Sequence, residues 1–514
     1  MYFYLFYGIF VHNKNIYALK KNMISAVLLV IVSVLLVITF KWSKQTKKSP
    51  PGPFAWPFVG NLHLLRQVSR DFGGQHLAFL ELSRRYNSDL ISLKLGKNKI
   101  TVVSGDKGIQ AVLKNEEYDG RPWDEFIKLR NLGVRKGITM SDGPEWKEIR
   151  GWFVRKFREL GFGRSQMFYL IKNELEEILE NLHEGGVRYL KTVTMNAVIN
   201  VLWQLTAGKR FSDEKKLKYF INLMDRRAKA FSMGGGVLSS IPWIRYIAPE
   251  ASGYNLLMTL NQELRSFFME TIEEHKKNYV AGKENDLIDM FLQEMYFGRG
   301  PSCGFTDEQL ILILMDIFIA GTLTTTTTLD FIFLNVLIHQ DVQRKLHEEI
   351  DLVVGRQRLP DINDRQRLPY LEAVCTESQR LCLVTPTIGP RRVLRDTELL
   401  GYHIPKNTTI LINVYSSNTS KDRYKDPTSF IPERFIENGS YQSDENLILF
   451  GQGKRRCPGE ILAKSAIFLL TSGMLQNFEL HPAPGKEFPS LNIVPGLTIS
   501  PKPYEVLLKP RKTI

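Results

Sequence analysis

Cysteine is scarce in this chain. Cys303, Cys375, Cys382 and Cys457 are the only four among 514 residues. So few exclude a disulfide-stapled scaffold and indicate a reducing compartment. Cys375 and Cys382 sit seven apart on an expected helix, about 10 Å along its axis, and cannot bridge there. Arginine is missing altogether from residues 1–48, which argues against a mitochondrial presequence. No repeat with a period of about 20–50 residues is present, so solenoids and propellers are excluded. No Pro/Gly/Ser-rich linker divides residues 54–514, and no nucleic-acid motif occurs. Acidic residues are the minority charge: 68 Lys+Arg against 54 Asp+Glu leave +14, which suits an anionic partner or a membrane surface. Hydrophobic residues at 43% exclude disorder.

What the front of the chain does contain is an uninterrupted apolar run. Residues 23–40, MISAVLLVIVSVLLVITF, carry no charge and span about 27 Å as a helix, close to a bilayer core. A cleaved signal peptide would have a shorter core ending in small residues, whereas this run ends in Phe40-Lys41-Trp42. It therefore reads as a retained transmembrane anchor. Residues 1–22 read as an extension of uncertain status. Lys41, Lys44, Lys47 and Lys48 follow the run and Lys14, Lys20 and Lys21 precede it, a bias that places the body in the cytosol. Residues 41–57 are basic and proline-rich, with Ser49-Pro50-Pro51-Gly52-Pro53 and Trp56-Pro57 forming a stiff hinge.

The remainder, 58–514, reads as one large domain, mainly α with a small β portion. Helical patterns cover 142–158, 164–184, 190–207, 255–279, 306–330 and 332–354. Residues 90–95 and 100–103 flank Gly96-Lys97-Asn98 as a hairpin, and 397–400 and 408–414 read as short strands. In the segment 306–330, Thr306 and Gln309 form a capping box before LILILMDIFIA, which is apolar on every face and marks a central buried helix. Ala320-Gly321 and the threonines Thr324 to Thr328 follow. A small pair beside hydroxyls suggests a groove where something approaches the backbone, although a tolerated polar run in a core helix fits equally well.

Phe450-Gly451-Gln452-Gly453-Lys454-Arg455-Arg456-Cys457-Pro458-Gly459-Glu460 precedes an apolar helical stretch. Nearby cations, backbone N–H groups and the helix dipole favour a thiolate at Cys457. Alone, such a cysteine is a redox sensor, a nucleophile or structural. The full spacing narrows the choice. Phe-x-x-Gly-x-Arg-x-Cys-x-Gly, met by Phe450, Gly453, Arg455, Cys457 and Gly459, resembles the haem signature of the cytochrome P-450 superfamily. Glu377 and Arg380, at i and i+3, and Pro432-Glu433-Arg434-Phe435 extend the resemblance over most of the chain.

This resemblance implies a cytochrome P-450 fold behind an N-terminal transmembrane helix, of the microsomal kind, with heme b as cofactor. Cys457 would be the iron's axial thiolate ligand, donating electron density that favours O–O cleavage. Trp146, Arg150 and Arg455 would approach the haem propionates, as would Arg391, which stands where the family usually has His. Glu377, Arg380 and Arg434 would form a buried structural lock. Thr324, with Ala320 and Gly321, would occupy the oxygen-activating position. The acid that normally precedes this threonine is Leu323 here, so ordinary proton delivery is in doubt. Asp316 is a weak substitute, and ordered water along the threonine hydroxyls another route.

The favoured expectation is monooxygenation of a small lipophilic substrate with NADPH electrons from a flavoprotein reductase, at the endoplasmic reticulum membrane. A reductase-independent hydroperoxide isomerase or dehydratase, and a non-catalytic membrane haem-binding protein, are the alternatives. Lys147, Arg155, Lys156, Arg158, Lys454 and Arg456 would form the reductase face. Residues 231–247 would make a roof that dips into membrane lipids. Further pocket walls would come from 122–138, 315–324, 383–389 and 491–498.

Overall fold

In the computed structural model the described residues are 29–30, 32–33, 49–230, 238–239, 241–496 and 498–511. The extension 1–22 and the anchor 23–40 lie outside them, save four exposed helical positions, as does all of 41–48. The chain divides into a large unit of Pro51–Thr397 and Pro405–Ile514 and a small one that includes Glu398–Ile404.

Helices dominate the large unit. In chain order they are α1 (Leu62–Phe72), α2 (Gln75–Arg85), α3 (Asp106–Lys114), α4 (Glu125–Arg130), α5 (Gly143–Glu159), α6 (Ser165–Leu182) and α7 (Leu190–Ala207). Then come α8 (Glu214–Ala230), α9 (Tyr254–Asn278), α10 (Leu287–Tyr296), α11 (Asp307–Ile338), α12 (Gln340–Val353), α13 (Pro369–Leu381), α14 (Val414–Asn418) and α15 (Glu460–Asn477).

The central helix α11 is longer than its sequence pattern suggests. The expected break at 331 is absent, and the helix runs on to Ile338. Its threonines do not end it because their hydroxyls turn back onto the helix: Thr326 Oγ1 donates to Thr322 O at 2.8 Å and Thr328 Oγ1 to Thr324 O at 2.9 Å. At the front, Thr306 accepts from the Gln309 N–H at 3.3 Å, one half of the expected capping box. Among the described residues α11 alone is long and apolar enough to cross a membrane, yet 67% of its apolar window is buried inside the protein. It is a core helix. It packs against α7, α13 and α15, and Phe318 joins the ring cluster of Trp203, Phe220 and Phe268.

The β portion is small, as expected. Strands β1 (Leu90–Leu95) and β2 (Asn98–Val103) form the predicted hairpin, with Leu90 opposite Val103 and Leu95 opposite Asn98. After β3 (Gly186–Arg188) comes a strand that the pattern did not reveal, β4 (Ile388–Arg392); then follow β5 (Thr397–Leu399), β6 (Tyr402–Ile404) and β7 (Thr409–Ile412), and β4 completes with β7 a sheet of order β1-β2-β7-β4. Gly389 and Pro390 interrupt β4's apolar pattern, and tertiary pairing with β7 makes it a strand. Residues 397–400 and 408–414 do not pair with each other. Thr397–Leu399 pairs instead with Tyr402–Ile404, which straddles Gly401.

Below this core, Glu377 and Arg380 are both fully buried on α13. Arg380 Nε and Nη2 donate to the two Glu377 oxygens at 2.6 and 2.9 Å. Arg380 Nη1 donates to Asn418 O and Pro427 O at 2.9 and 2.8 Å. Arg434 Nε and the Ile431 N–H add 3.1 and 3.0 Å contacts to Glu377 Oε1. A buried charge pair this fully bonded ties α13 to the 418–434 segment, and removing one partner strands the other. Glu377→Gln is therefore expected to lower stability by about 3–5 kcal/mol, read as a shift of the urea unfolding midpoint. An unmoved midpoint would refute the lock.

Candidate active site

The loop before α15 is folded by glycines. Gly453 has φ +70°, and a Cβ there would lie 2.3 Å from the Leu113 carbonyl at the end of α3, so only glycine lets the loop seat. A short turn over Gly453–Arg455 follows, and the Cys457 N–H closes onto Phe450 O at 2.9 Å. Gly459 caps α15 and gives its N–H to the Cys457 sulfur.

Sequence reasoning expects this loop to favour a thiolate by itself. In the structure burial outweighs the Gly459 N–H and the cations Arg150 and Arg456, and the Cys457 thiol is pushed up. Coordination to a metal deprotonates a thiol outright, so a bound iron would hold Cys457 as the thiolate.

Beside the loop stands a concentration of guanidiniums. Arg455 lies 3.4 Å over the Trp146 ring and Arg150 lies 5.7 Å from it. The Trp146 N–H is spent on Ile138 O at 2.9 Å, so Trp146 offers its ring as a platform and not a free donor. Arg150 Nη2 donates to Arg456 O at 2.5 Å. Arg391, 1% exposed on β4, pairs with Asp119.

Arg121 and Asp119 were not legible in the sequence, where no motif spacing marks them. They arrive by backbone pairing, since Arg392 N donates to Gly120 O at 2.8 Å and Arg121 Nη1 to Pro390 O at 2.7 Å. The crowding is electrostatically costly. Burial, and then Arg391, lowers Arg455 to about 9; burial, Arg455 and Arg391 push Arg121 well below its usual range.

Within this cluster Arg391 Nε and Arg455 Nη1 are buried with no protein partner. Surplus buried positive charge with orphaned donors calls for an anionic group, and carboxylates suit guanidinium forks. The two propionates of a haem would suit this donor set, with Cys457 available to ligate its iron.

The central helix opens one stripe. Within 315–330 of α11, Ala320 is exposed and Ile317, Ile319, Gly321, Leu323, Thr324 and Thr328 are half-buried, and of these Ile317, Ala320, Gly321, Thr324 and Thr328 share one face at i, i+3, i+4, i+7 and i+11. Thr324 Oγ1 donates to Ala320 O at 2.6 Å. A Cβ on Gly321 would meet Leu202 at 3.0 Å, so that glycine serves the packing of α11 on α7. Leu323 packs on the hydrophobic core. Asp316, the weak substitute acid, has one oxygen engaged structurally: its Oδ2 accepts the Ile138 and Thr139 N–H groups at 2.7 and 2.8 Å and anchors the loop that carries Trp146's partner.

Around the stripe, Phe126 and Ile127 cluster with Met140, Leu238 and Leu257, joining the 122–138 wall to the described part of the roof. Most of 231–240 lies outside the described residues. Trp243, Tyr246 and Ile247 are exposed. Val384 and Ile499 are joined by a 2.9 Å backbone bond, Ile499 N–H to Val384 O, and pack with Leu491 and Ile493. On the expected reductase face, Lys454, Arg456 and Lys156 pair with Glu116, Glu460 and Glu159, while Lys147, Arg155 and Arg158 are exposed.

A cysteine loop beside a basic cradle, in a chain whose core helix carries accessible hydroxyls, marks the class of haem-thiolate proteins. The comparisons agree. The family model described as Cytochrome P450 matches residues 50–508. Over 477 residues the chain is 40% identical to probable cytochrome P450 305a1 of Drosophila melanogaster, covering 90% of this chain and 94% of the relative. It is 36% identical over 468 residues to the farnesoate epoxidase of Bombyx mori, covering 90% and 94%. With cytochrome P450 2J1 of Oryctolagus cuniculus it shares 33% over 492 residues, covering 93% and 95%.

The chain belongs to the cytochrome P450 family. It is a monooxygenase of that family, whose members bind haem through a cysteine thiolate.

The loop geometry generates a test. Gly453→Ala should force the thiolate loop off α3 and cut the haem-to-protein ratio of the purified protein about threefold or more. An unchanged ratio would show that the loop is not seated as described.

Proposed function

We propose that this protein is a microsomal monooxygenase that inserts one oxygen atom of O2 into a small lipophilic substrate, by hydroxylation or epoxidation. In this reading residues 23–40 anchor it in the endoplasmic reticulum membrane, 41–57 form the hinge, and 58–514 are the catalytic domain in the cytosol. NADPH electrons arrive from a flavoprotein reductase at the face bearing Lys147, Arg155 and Arg158. Exposed Trp243, Tyr246 and Ile247 favour contact with lipid, where aromatic residues settle at the interface.

Cys457 is the proposed iron ligand, Arg455, Arg391, Arg150 and Arg121 the propionate partners, and Trp146 the platform that holds two of them. Bound haem supplies the redox chemistry that activates dioxygen. The chain's own part is to exclude bulk water with apolar walls and to present one hydroxyl. The observation that carries the reading is the pairing of Thr324 with Ala320 O on the accessible stripe. A hydroxyl already bonded to a helix carbonyl can swing to a guest and relay a proton from water without the acid that Leu323 replaces.

The apolar walls favour a terpenoid or other lipid. The 36% identity to a farnesoate epoxidase makes a linear isoprenoid acid or ester the first substrate to try.

The test is product analysis with reductase, NADPH and a panel of farnesoate and other lipids. An oxygenated product that requires O2 and NADPH is expected. Turnover of lipid hydroperoxides alone would overturn the reading in favour of a reductase-independent isomerase. Thr324→Ala should lower product formed per NADPH about tenfold or more, while Leu323→Glu should raise it. Equal coupling in Thr324→Ala and the parent would remove Thr324 from the proton path.

A further inference from the structure

Asp119 touches two members of the guanidinium cluster with different atoms. Its Oδ1 accepts from Arg391 Nη1 at 2.5 Å, and its main-chain oxygen accepts from Arg455 Nε and Nη2 at 3.0 and 2.7 Å. The neighbouring carboxylate Asp142 is taken up elsewhere, by Arg135 and Arg392 at 2.7 and 2.9 Å and by the Arg121 N–H at 2.6 Å. Asp119 is thus the acid that faces Arg391, across 272 positions of sequence.

Charge arithmetic gives this contact a consequence beyond packing. Arg121, Arg150, Arg391 and Arg455 bring four positive charges and Asp119 returns one. The two carboxylates of a haem return two more, leaving the surroundings one charge positive. A neutral residue at 119 would leave them two charges positive. Arg391 is 1% exposed, so water screens little of the difference. Adding an electron to an iron centre is favoured by positive surroundings and opposed by a carboxylate.

We propose that Asp119 is a positioning residue for the cofactor: by holding Arg391 and Arg455 and cancelling one buried cation, it sets how readily the haem iron accepts an electron. The proposal rests on the haem-thiolate reading of the site.

The experiment is a spectroscopic reductive titration of the full-length haem-loaded protein in detergent, comparing the parent with Asp119→Asn, Arg391→His and the double variant. Asparagine keeps the main-chain acceptor and the side-chain size and removes only the charge. Asp119→Asn should shift the oxidised-to-reduced ratio at fixed potential about tenfold toward the reduced form, about 59 mV for a one-electron couple. Arg391→His should shift it the other way, and the double variant should return near the parent.

An Asp119→Asn protein with an intact Soret band and a ratio within about twofold of the parent would overturn the proposal. Should Asp119→Asn retain no haem, Arg391→His decides alone: a shift toward the oxidised form supports the proposal and an unmoved ratio overturns it. A parent protein without a thiolate-type carbon monoxide band would instead sink the haem-thiolate reading itself.

Discussion

The excess of buried positive charge beside Cys457 is the constraint on which the rest of the site depends. Guanidiniums resist crowding and resist burial, and here Arg121, Arg391 and Arg455 do both, with donors left over. Such a cluster is stable only when an anion completes it. The sulfur makes a matching demand, since a metal bound to it would hold it as the thiolate. Haem meets both demands at once, with carboxylates at its edge and a metal at its centre. Cofactor binding therefore contributes directly to the stability of this part of the fold.

A second polar system lies within α11. A helix buried on nearly every face has little tolerance for unpaired hydroxyls, and α11 bonds Thr324, Thr326 and Thr328 to the carbonyls one turn back while the buried Thr322 hydroxyl is left without a partner. The thread that keeps the helix intact also leaves Thr324 on the accessible stripe. Structural satisfaction and chemical availability are in this case two settings of one side chain. Asp316, by contrast, gives its Oδ2 to the Ile138 and Thr139 amides and holds the loop over which Trp146 is oriented.

Much of this was legible in residue order, and the parts that were not share one cause. The helices over 190–207 and 143–159 were readable from local apolar periodicity, and α11 overran its expected end because side-chain bonding overrode threonine's poor propensity. Strand β4 and Asp119 were not readable. Gly389 and Pro390 erase the strand's local pattern, and Asp119 becomes functional only through a partner 272 positions away.

By itself the order of residues determined the family-like loop around Cys457, the lock partners Glu377, Arg380 and Arg434, and the position of Thr324. Each is a short-range spacing, set by a turn or by helical pitch. Only the tertiary structure decided the electrostatics: which cations share a cradle, that Trp146 gives its ring and not its N–H, and that the thiol is raised rather than lowered. Those properties depend on desolvation and on distances between segments remote in sequence, which no local pattern encodes.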